Sequence, residues 1–385
     1  MPFARRSAWP RAENALSEAV SRARASERPL VDLTLSNPTE AGLPLPEGAL
    51  LEALADAANL GYHPDPRGLP AARQAIAARL GLDPGRVLLT ASTSEAYAFL
   101  FKVLADPGDG VLVPAPSYPL FEYLAGLEGL ALAPYRLRYD GRWHLDRDAL
   151  REAVGPRARA IVAIHPNNPT GSYLSREELA FLADLCAERG LALVSDEVFL
   201  DYALSSDPAR APSAVSQARC LTFSLSGLSK LAGLPQLKLG WIAASGPEPA
   251  LSEALARLEL VADTYLSVSS PVQHAAPRLL ELAAGFQDAV RARLRRNLAT
   301  AREALAPPAP ATPLHVDGGW SLPLRLPATR TGEAWALELL ESEGLLVQPG
   351  YFYDFEGEAY LVVSLLTPEP VFAKGMQRLR AALGR

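Results

Sequence analysis

Cysteine and methionine are nearly absent from these 385 residues, with two of each. Two cysteines, Cys186 and Cys220, are too few for a disulfide framework or a thiolate metal site, and no metal centre is expected. Cys186 follows Leu182 by one helical turn and Cys220 opens an apolar stretch, so both read as small core residues. No apolar run approaches the roughly 18 residues that a membrane span requires. Arg5 and Arg6 are followed by no apolar stretch of the kind a secretory signal carries. A cytoplasmic protein is the simplest reading. Positive charge is also in short supply: 37 Lys and Arg against 43 Asp and Glu leave a net charge of −6, the wrong sign for a surface that grips backbone phosphates. The one basic stretch, AVRARLRR at 289–296, reads as the solvated side of an amphipathic helix. Neither nucleic acid nor membrane is an expected partner.

What remains has ordinary globular proportions, 49% hydrophobic and 21% charged, and a length that favours two domains or one large α/β domain. The first 30 residues read as a mostly polar amphipathic helix ending near Glu27, then an extended piece over 30–38 and a punctuated loop to Pro46. Short apolar strand candidates follow at 87–90, 110–113, 130–135, 158–164, 191–195, 220–225 and 239–244, with helical patterns such as 95–104 and 175–189 between them. Alternation of strand and helix predicts right-handed crossovers and a mostly parallel, seven-stranded sheet. Apolar strands without alternation predict helices on both faces. After Pro271 a helical stretch runs to about Ala306, is broken by Pro307-Pro308-Ala309-Pro310, and gives way to strand, helix, strand and helix at 319–326, 333–343, 360–366 and 371–383. The expected organisation is an arm over 1–45, a large α/β domain over 46–275 and a smaller α+β domain over 276–385.

Ligands of open α/β sheets bind beyond the carboxyl ends of the strands. Those ends read Ala91-Ser92-Thr93-Ser94, Ala115-Pro116-Ser117-Tyr118, His165-Pro166-Asn167-Asn168, Ser195-Asp196-Glu197 and Ser226-Gly227-Leu228-Ser229-Lys230. Five ends thus offer hydroxyls at a helix start, an aromatic ring, an amide, a carboxylate and a lysine. The set suits pyridoxal 5'-phosphate, which carries its own chemistry while the protein positions and polarises it. A lysine amine can join its aldehyde, a carboxylate can keep its ring nitrogen protonated, an amide can donate to its ring oxygen, and a helix N-terminus can receive its phosphate. His165 neighbours these residues but reads equally well as a turn-packing histidine.

With HPNNPTG at 165–171, SDEVF at 195–199 and SGLSKLAGLPQLKLGW at 226–241 in this order, nearly the whole chain resembles the class I/II aminotransferases, pyridoxal-phosphate enzymes of the aspartate aminotransferase fold (fold type I). The resemblance implies a Schiff base on Lys230, which also shuttles the proton. It implies Asp196 on the pyridine nitrogen, Asn168 on the ring oxygen and Tyr118 stacked on the ring. The phosphate would lie on Ser92 and Thr93 with Ser226 and Lys238 nearby, and Tyr62 would reach the phosphate of a partner subunit. Asn37 would border the substrate. The family is typically a homodimer with active sites at the interface, and its substrates are an amino donor and a keto acid.

Four positions depart from the family pattern. Lys238 replaces an arginine on the phosphate, and lysine lacks the planar fork. Gly227 stands where a Ser or Thr often touches the phosphate, and Phe199 where a tyrosine donates to the ring oxygen. Val362 stands where an arginine grips the substrate α-carboxylate, and Arg325 is the expected substitute. Trp320, Tyr351, Phe352 and Tyr353 are candidates for an aromatic-lined pocket. Transamination is the expected outcome. A lyase, decarboxylase or oxidase using the same cofactor is the alternative that Val362 motivates. A cofactor-sensing transcription regulator is disfavoured because no basic domain precedes the matching region.

Overall fold

The computed structural model describes all residues except Met1, Pro2, Arg11, Glu27, Arg28, Glu358 and Arg385. The first long helix covers Ala15–Ala25, and its expected end at Glu27 lies outside the described residues.

The central sheet has eight strands: β1 (Val87–Thr90), β2 (Gly110–Ala115), β3 (Ala131–Tyr139), β4 (Trp143–Leu145), β5 (Ala158–Ile164), β6 (Ala192–Asp196), β7 (Thr222–Gly227) and β8 (Gly240–Ser245). Their spatial order is β1-β8-β7-β6-β5-β2-β3-β4. Pairs β3–β2, β2–β5, β5–β6 and β6–β7 are parallel, whereas β8 runs antiparallel to both of its neighbours. All seven expected strands are present. The count of seven is corrected to eight by β4, three residues returning from β3 through a turn at Gly141, whose φ is 110°. Three residues are too few to show a period. The strand is instead held from outside, because Glu178 accepts a hydrogen bond from the Leu145 N–H (2.8 Å).

Helices cover both faces, as unbroken apolar strands require. Helix α1 (Thr93–Leu104) follows β1 and buries Ala96, Tyr97, Phe99, Leu100 and Phe101 against the sheet. Helix α2 (Arg176–Arg189) begins with a reciprocal cap, in which Ser175 Oγ accepts from the Glu178 N–H and the Glu178 carboxylate accepts from the Ser175 N–H. It stops at Gly190, in the left-handed conformation that glycine adopts without strain. Cys186 and Cys220 are buried in the same cluster beneath this helix, the core role expected of them.

The 35-residue helix α3 (Ser270–Ala304) serves two cores. Val272, Ala275, Ala276, Leu279 and Ala283 pack with residues of β1 and β8, while Phe286, Val290, Leu294, Leu298 and Ala301 pack with the C-terminal elements. Those elements are β9 (Ser321–Arg325), α4 (Gly332–Glu343), β10 (Gln348–Pro349), β11 (Tyr360–Ser364) and α5 (Glu369–Leu383). With the two residues Thr312–Pro313 the strands form an antiparallel sheet in which β9 and β10 flank β11. The N-terminal segment joins this part of the molecule. Val31–Asp32 pairs with Leu345–Leu346, and the Ser364 N–H and Oγ–H donate to the Leu33 and Leu35 carbonyls.

Gly171, last residue of HPNNPTG, ties the two sheets together. Its carbonyl accepts from the N–H groups of Asp317 and Gly318 at 3.1 and 2.9 Å. Its φ is +67°, and an added Cβ would lie 2.4 Å from the Gly318 oxygen. Left-handed strain and a backbone clash both oppose any side chain. Gly171→Ala is expected to cost about 2–4 kcal/mol, read as a lower urea midpoint at unchanged slope.

Candidate active site

The expected strand-end residues converge on one cavity of about 370 Å³ between the two sheets. Thr93 and Ser94 come from the start of α1, Tyr118 from the loop after β2, and Asn168 from the loop after β5. Asp196 ends β6, and Lys230 lies on the helical turn that follows β7. The far wall is formed by Thr34 and Ser36 of the N-terminal segment and by Trp320, Ser321, Gln348, Tyr353, Val362, Val363 and Ser364.

Lys230 is half-buried. Its Nζ donates to the Ser36 carbonyl (3.2 Å) and lies 4.9 Å from the Trp320 ring centroid and 5.8 Å from that of Phe199. Burial without a carboxylate partner disfavours the ammonium and lowers its pKa to about 8. The Lys230 carbonyl accepts from the Tyr202 hydroxyl, which anchors the turn.

Asp196 shows the opposite shift. Burial raises its pKa to about 6, although the Val198 N–H (3.2 Å) and the Tyr97 hydroxyl (3.1 Å) donate to it. Among the described residues no Lys or Arg is paired with it. A carboxylate in this setting is suited to a cationic N–H arriving from the cavity. Asn168 accepts from the Ser321 hydroxyl (3.0 Å) through Oδ1, which commits the oxygen and leaves Nδ2 as a donor. At the start of α1, Ser92 caps the Glu95 N–H (3.2 Å). Helix geometry leaves the N–H groups of Thr93 and Ser94 without intrahelical acceptors, a site for an anion.

Other expected residues are placed elsewhere. Ser226 is half-buried on β7 and is not part of the cavity lining, although Ser229 is. Lys238 is exposed, with φ 53°, outside the lining. Tyr62 is 76% exposed, beside a separate recess with His63, Phe99 and Leu266. Asn37 caps a short turn: Oδ1 accepts from the Thr39 N–H and hydroxyl, and Nδ2 donates to Glu40. Arg325 is exposed at the far end of β9, four residues from Ser321. His165 is fully buried, accepts from the Leu174 N–H at Nδ1 and contacts the Ala211 carbonyl through Nε2. Its pKa is lowered to about 4 by burial, so it stays neutral as a packing residue. Of the four aromatic candidates, Trp320 and Tyr353 line the cavity and Tyr351 is exposed.

Tyr97, Ser321 and Gln348 belong to the site without having been singled out in the sequence. Tyr97 lies one turn into α1 from Thr93, a spacing that could have signalled it.

The profile of the class I and II aminotransferases matches residues 28–371, and the chain belongs to that family. It is 32% identical to LL-diaminopimelate aminotransferase of Desulforudis audaxviator over 346 residues, 84% of this chain and 83% of that protein. The match to glutamate-pyruvate aminotransferase AlaA of Haemophilus influenzae is 29% over 252 residues, 64% of this chain but only 62% of that protein. Among solved structures, an alanine aminotransferase from Pyrococcus furiosus superposes with a TM-score of 0.87 at 25% identity, covering 99% of both chains.

The raised pKa of Asp196 ties folding stability to pH. A folded pKa near 6, above the unfolded value of 3.8, means that between those values the folded state binds more protons. Without cofactor, stability therefore falls as pH rises from about 4 to 6. Asp196→Asn should stabilise the cofactor-free protein at pH 7 by on the order of 2–3 kcal/mol. The gain should vanish below about pH 4, as read from urea midpoints at both pH values.

Proposed function

We propose that this chain is a pyridoxal-phosphate-dependent aminotransferase in which Lys230 is the catalytic residue. The observation that carries the reading is one cavity holding a lysine amine with a lowered pKa and a buried carboxylate with no cationic partner. When bound, the cofactor supplies an electron sink for breaking bonds at the substrate Cα. The chain's own groups do the rest. Lys230 Nζ would hold the cofactor through its aldehyde and, when free, would carry the proton between the substrate Cα and the cofactor side. Asp196 would hold the ring N–H, with its carboxylate fixed by the Tyr97 hydroxyl. Asn168 Nδ2 would donate to the ring oxygen and Tyr118 would pack on the ring. Thr93, Ser94 and Ser92 at the head of α1 would receive the phosphate, with Ser226 and Lys238 at its margin and Asn37 beside the substrate entrance.

The proposed assembly is a cytoplasmic homodimer sharing its active sites. Supporting it, Tyr62 is exposed together with Leu60, Tyr265 and Leu266, and the Tyr265 ring packs at a tilt against Phe99 (centroids 5.2 Å apart) beside the Tyr62 recess. A patch of large apolar side chains of this kind marks an interface. No helix among the described residues is long and apolar enough to cross a membrane. The proposed division remains an arm over 1–45, a large domain over 46–275 and a small domain over 276–385, with α3 spanning the last boundary. Val362 keeps a lyase, decarboxylase or oxidase outcome as the second reading, because substrate orientation decides which Cα bond breaks.

Incubation with the cofactor should give a yellow protein that borohydride bleaches, with the label on Lys230 by peptide mass spectrometry. A colourless, unlabelled protein sinks the reading. The attachment rate should rise with pH and level off above about 8, rather than climbing toward the 10.5 of an unperturbed lysine, because the neutral amine is the attacking form. With a competent donor, bound cofactor should convert stoichiometrically with release of a keto product. Release of ammonia or carbon dioxide without that conversion would favour the second reading.

A further inference from the structure

Among the described residues the cavity lining contains two charged side chains, Asp196 and Lys230, and both are committed to the cofactor in the function proposed above. No charged side chain of that described lining remains for the substrate. The wall facing them is neutral, with Val362 buried within it. Its hydroxyl protons are already spent on the protein: Thr34 donates to Asp32, Ser321 to Asn168, Ser364 to the Leu35 carbonyl and Tyr353 to Gln348 Oε1. Arg325 stands exposed at the other end of β9. Among the described residues, the side-chain donors left on this wall are the Gln348 amide nitrogen, the Ser36 hydroxyl and the buried Trp320 indole N–H. A carboxylate held there would be desolvated against neutral groups and an apolar side chain, which is unfavourable by several kcal/mol without a counter-charge.

We infer that the substrates of this enzyme, donor and acceptor alike, present an uncharged group to Val362: the donor is a primary amine or amino carboxamide rather than an α-amino acid. The inference rests on the aminotransferase reading and names its substrate class. Neutral carbonyl or hydroxyl groups fit Gln348 Nε2, and alkyl or aryl groups fit Val362 and Trp320. The transfer balances without an external oxidant. The donor loses its Cα–H and C–N bonds and leaves as a ketone or aldehyde whose oxygen comes from water. The acceptor carbonyl gives its oxygen to water and takes the nitrogen and hydrogen.

The test uses matched donors that differ only at this group: L-alanine, alaninamide and propan-2-amine, and phenylglycine with 1-phenylethylamine. Loss of the holoenzyme's yellow band under single turnover should be at least about tenfold faster with the uncharged member of each set, about 1.4 kcal/mol. A readout independent of turnover is calorimetric binding to the holoenzyme, in which isobutyramide should bind at least about tenfold tighter than isobutyrate. Val362→Arg should invert the preference. The wild-type comparison stands without that variant if the buried arginine prevents folding. L-alanine and phenylglycine reacting as fast as their uncharged partners, or isobutyrate binding as tightly as isobutyramide, overturns the inference, including the case in which a partner subunit supplies a cation. A holoenzyme with no borohydride-sensitive band overturns the functional reading instead, so the two failures are distinguishable.

Discussion

The site is organised around a carboxylate that the protein has buried and left without a counter-charge. Asp196 ends a strand whose preceding residues are almost fully buried, and its two donors, Tyr97 and the Val198 N–H, do not offset the desolvation that raises its pKa. A folded chain tolerates such a group at a stability cost when something else gains by it. The neighbouring strand ends show what gains. Asn168 keeps a free amide donor, α1 presents its N-terminus, and Lys230 is kept from being a strong base by the same desolvation. A carboxylate that favours a proton and an amine that releases one at mild pH, placed in one cavity, are complementary to a ligand bringing its own ring cation and its own electrophile.

The cavity requires both sheets. The large sheet supplies every group with chemistry to offer, because parallel strands deliver their carboxyl ends to one rim. The small sheet and the N-terminal segment supply a lid without charged side chains among the described lining residues, whose hydroxyls are mostly spent on protein acceptors. The contact between Lys230 and the Ser36 carbonyl depends on the segment that Ser364 pins through Leu33 and Leu35. The Gly171–Gly318 approach fixes the lid from the other side. The lowered pKa of Lys230 is therefore a property of the closed arrangement, and loosening the arm would return the amine toward its ordinary basicity.

Most of the large sheet was legible because its interior strands are apolar and separated by helical patterns. The eighth strand was not, since its position is set by a tertiary bond from Glu178. The residues that close on the cavity, Asn168, Asp196, Lys230, Thr93 and Tyr118, were legible for the same reason as the sheet, because strand direction brings their positions together. Side-chain direction was less so. Lys238, Arg325 and Asn37 occupy plausible chain positions, yet the first two are exposed and the third is consumed by its own turn. Tyr97 and Gln348 were hidden in opposite ways: one looks like a core residue of a helix, and the other sits on a strand of two residues.

The departure at Gly227 has a steric origin that bears on the phosphate end. A Cβ there would lie 2.8 Å from the Leu239 oxygen and 3.0 Å from the Gly240 Cα, while a Cβ on Gly240 would lie 3.0 Å from the Ser92 carbonyl carbon. Strands β1, β8 and β7 thus meet backbone to backbone beneath the head of α1, with no room for a side chain between them. A hydroxyl at 227 would push this seam apart and carry Ser92 with it. In the proposed function the phosphate would consequently rely on main-chain N–H groups and on Ser229, which lies in the cavity lining. Under that reading, dipole and backbone would do what a side chain at 227 otherwise does, and the exposed Lys238 would add charge without having to form a fork.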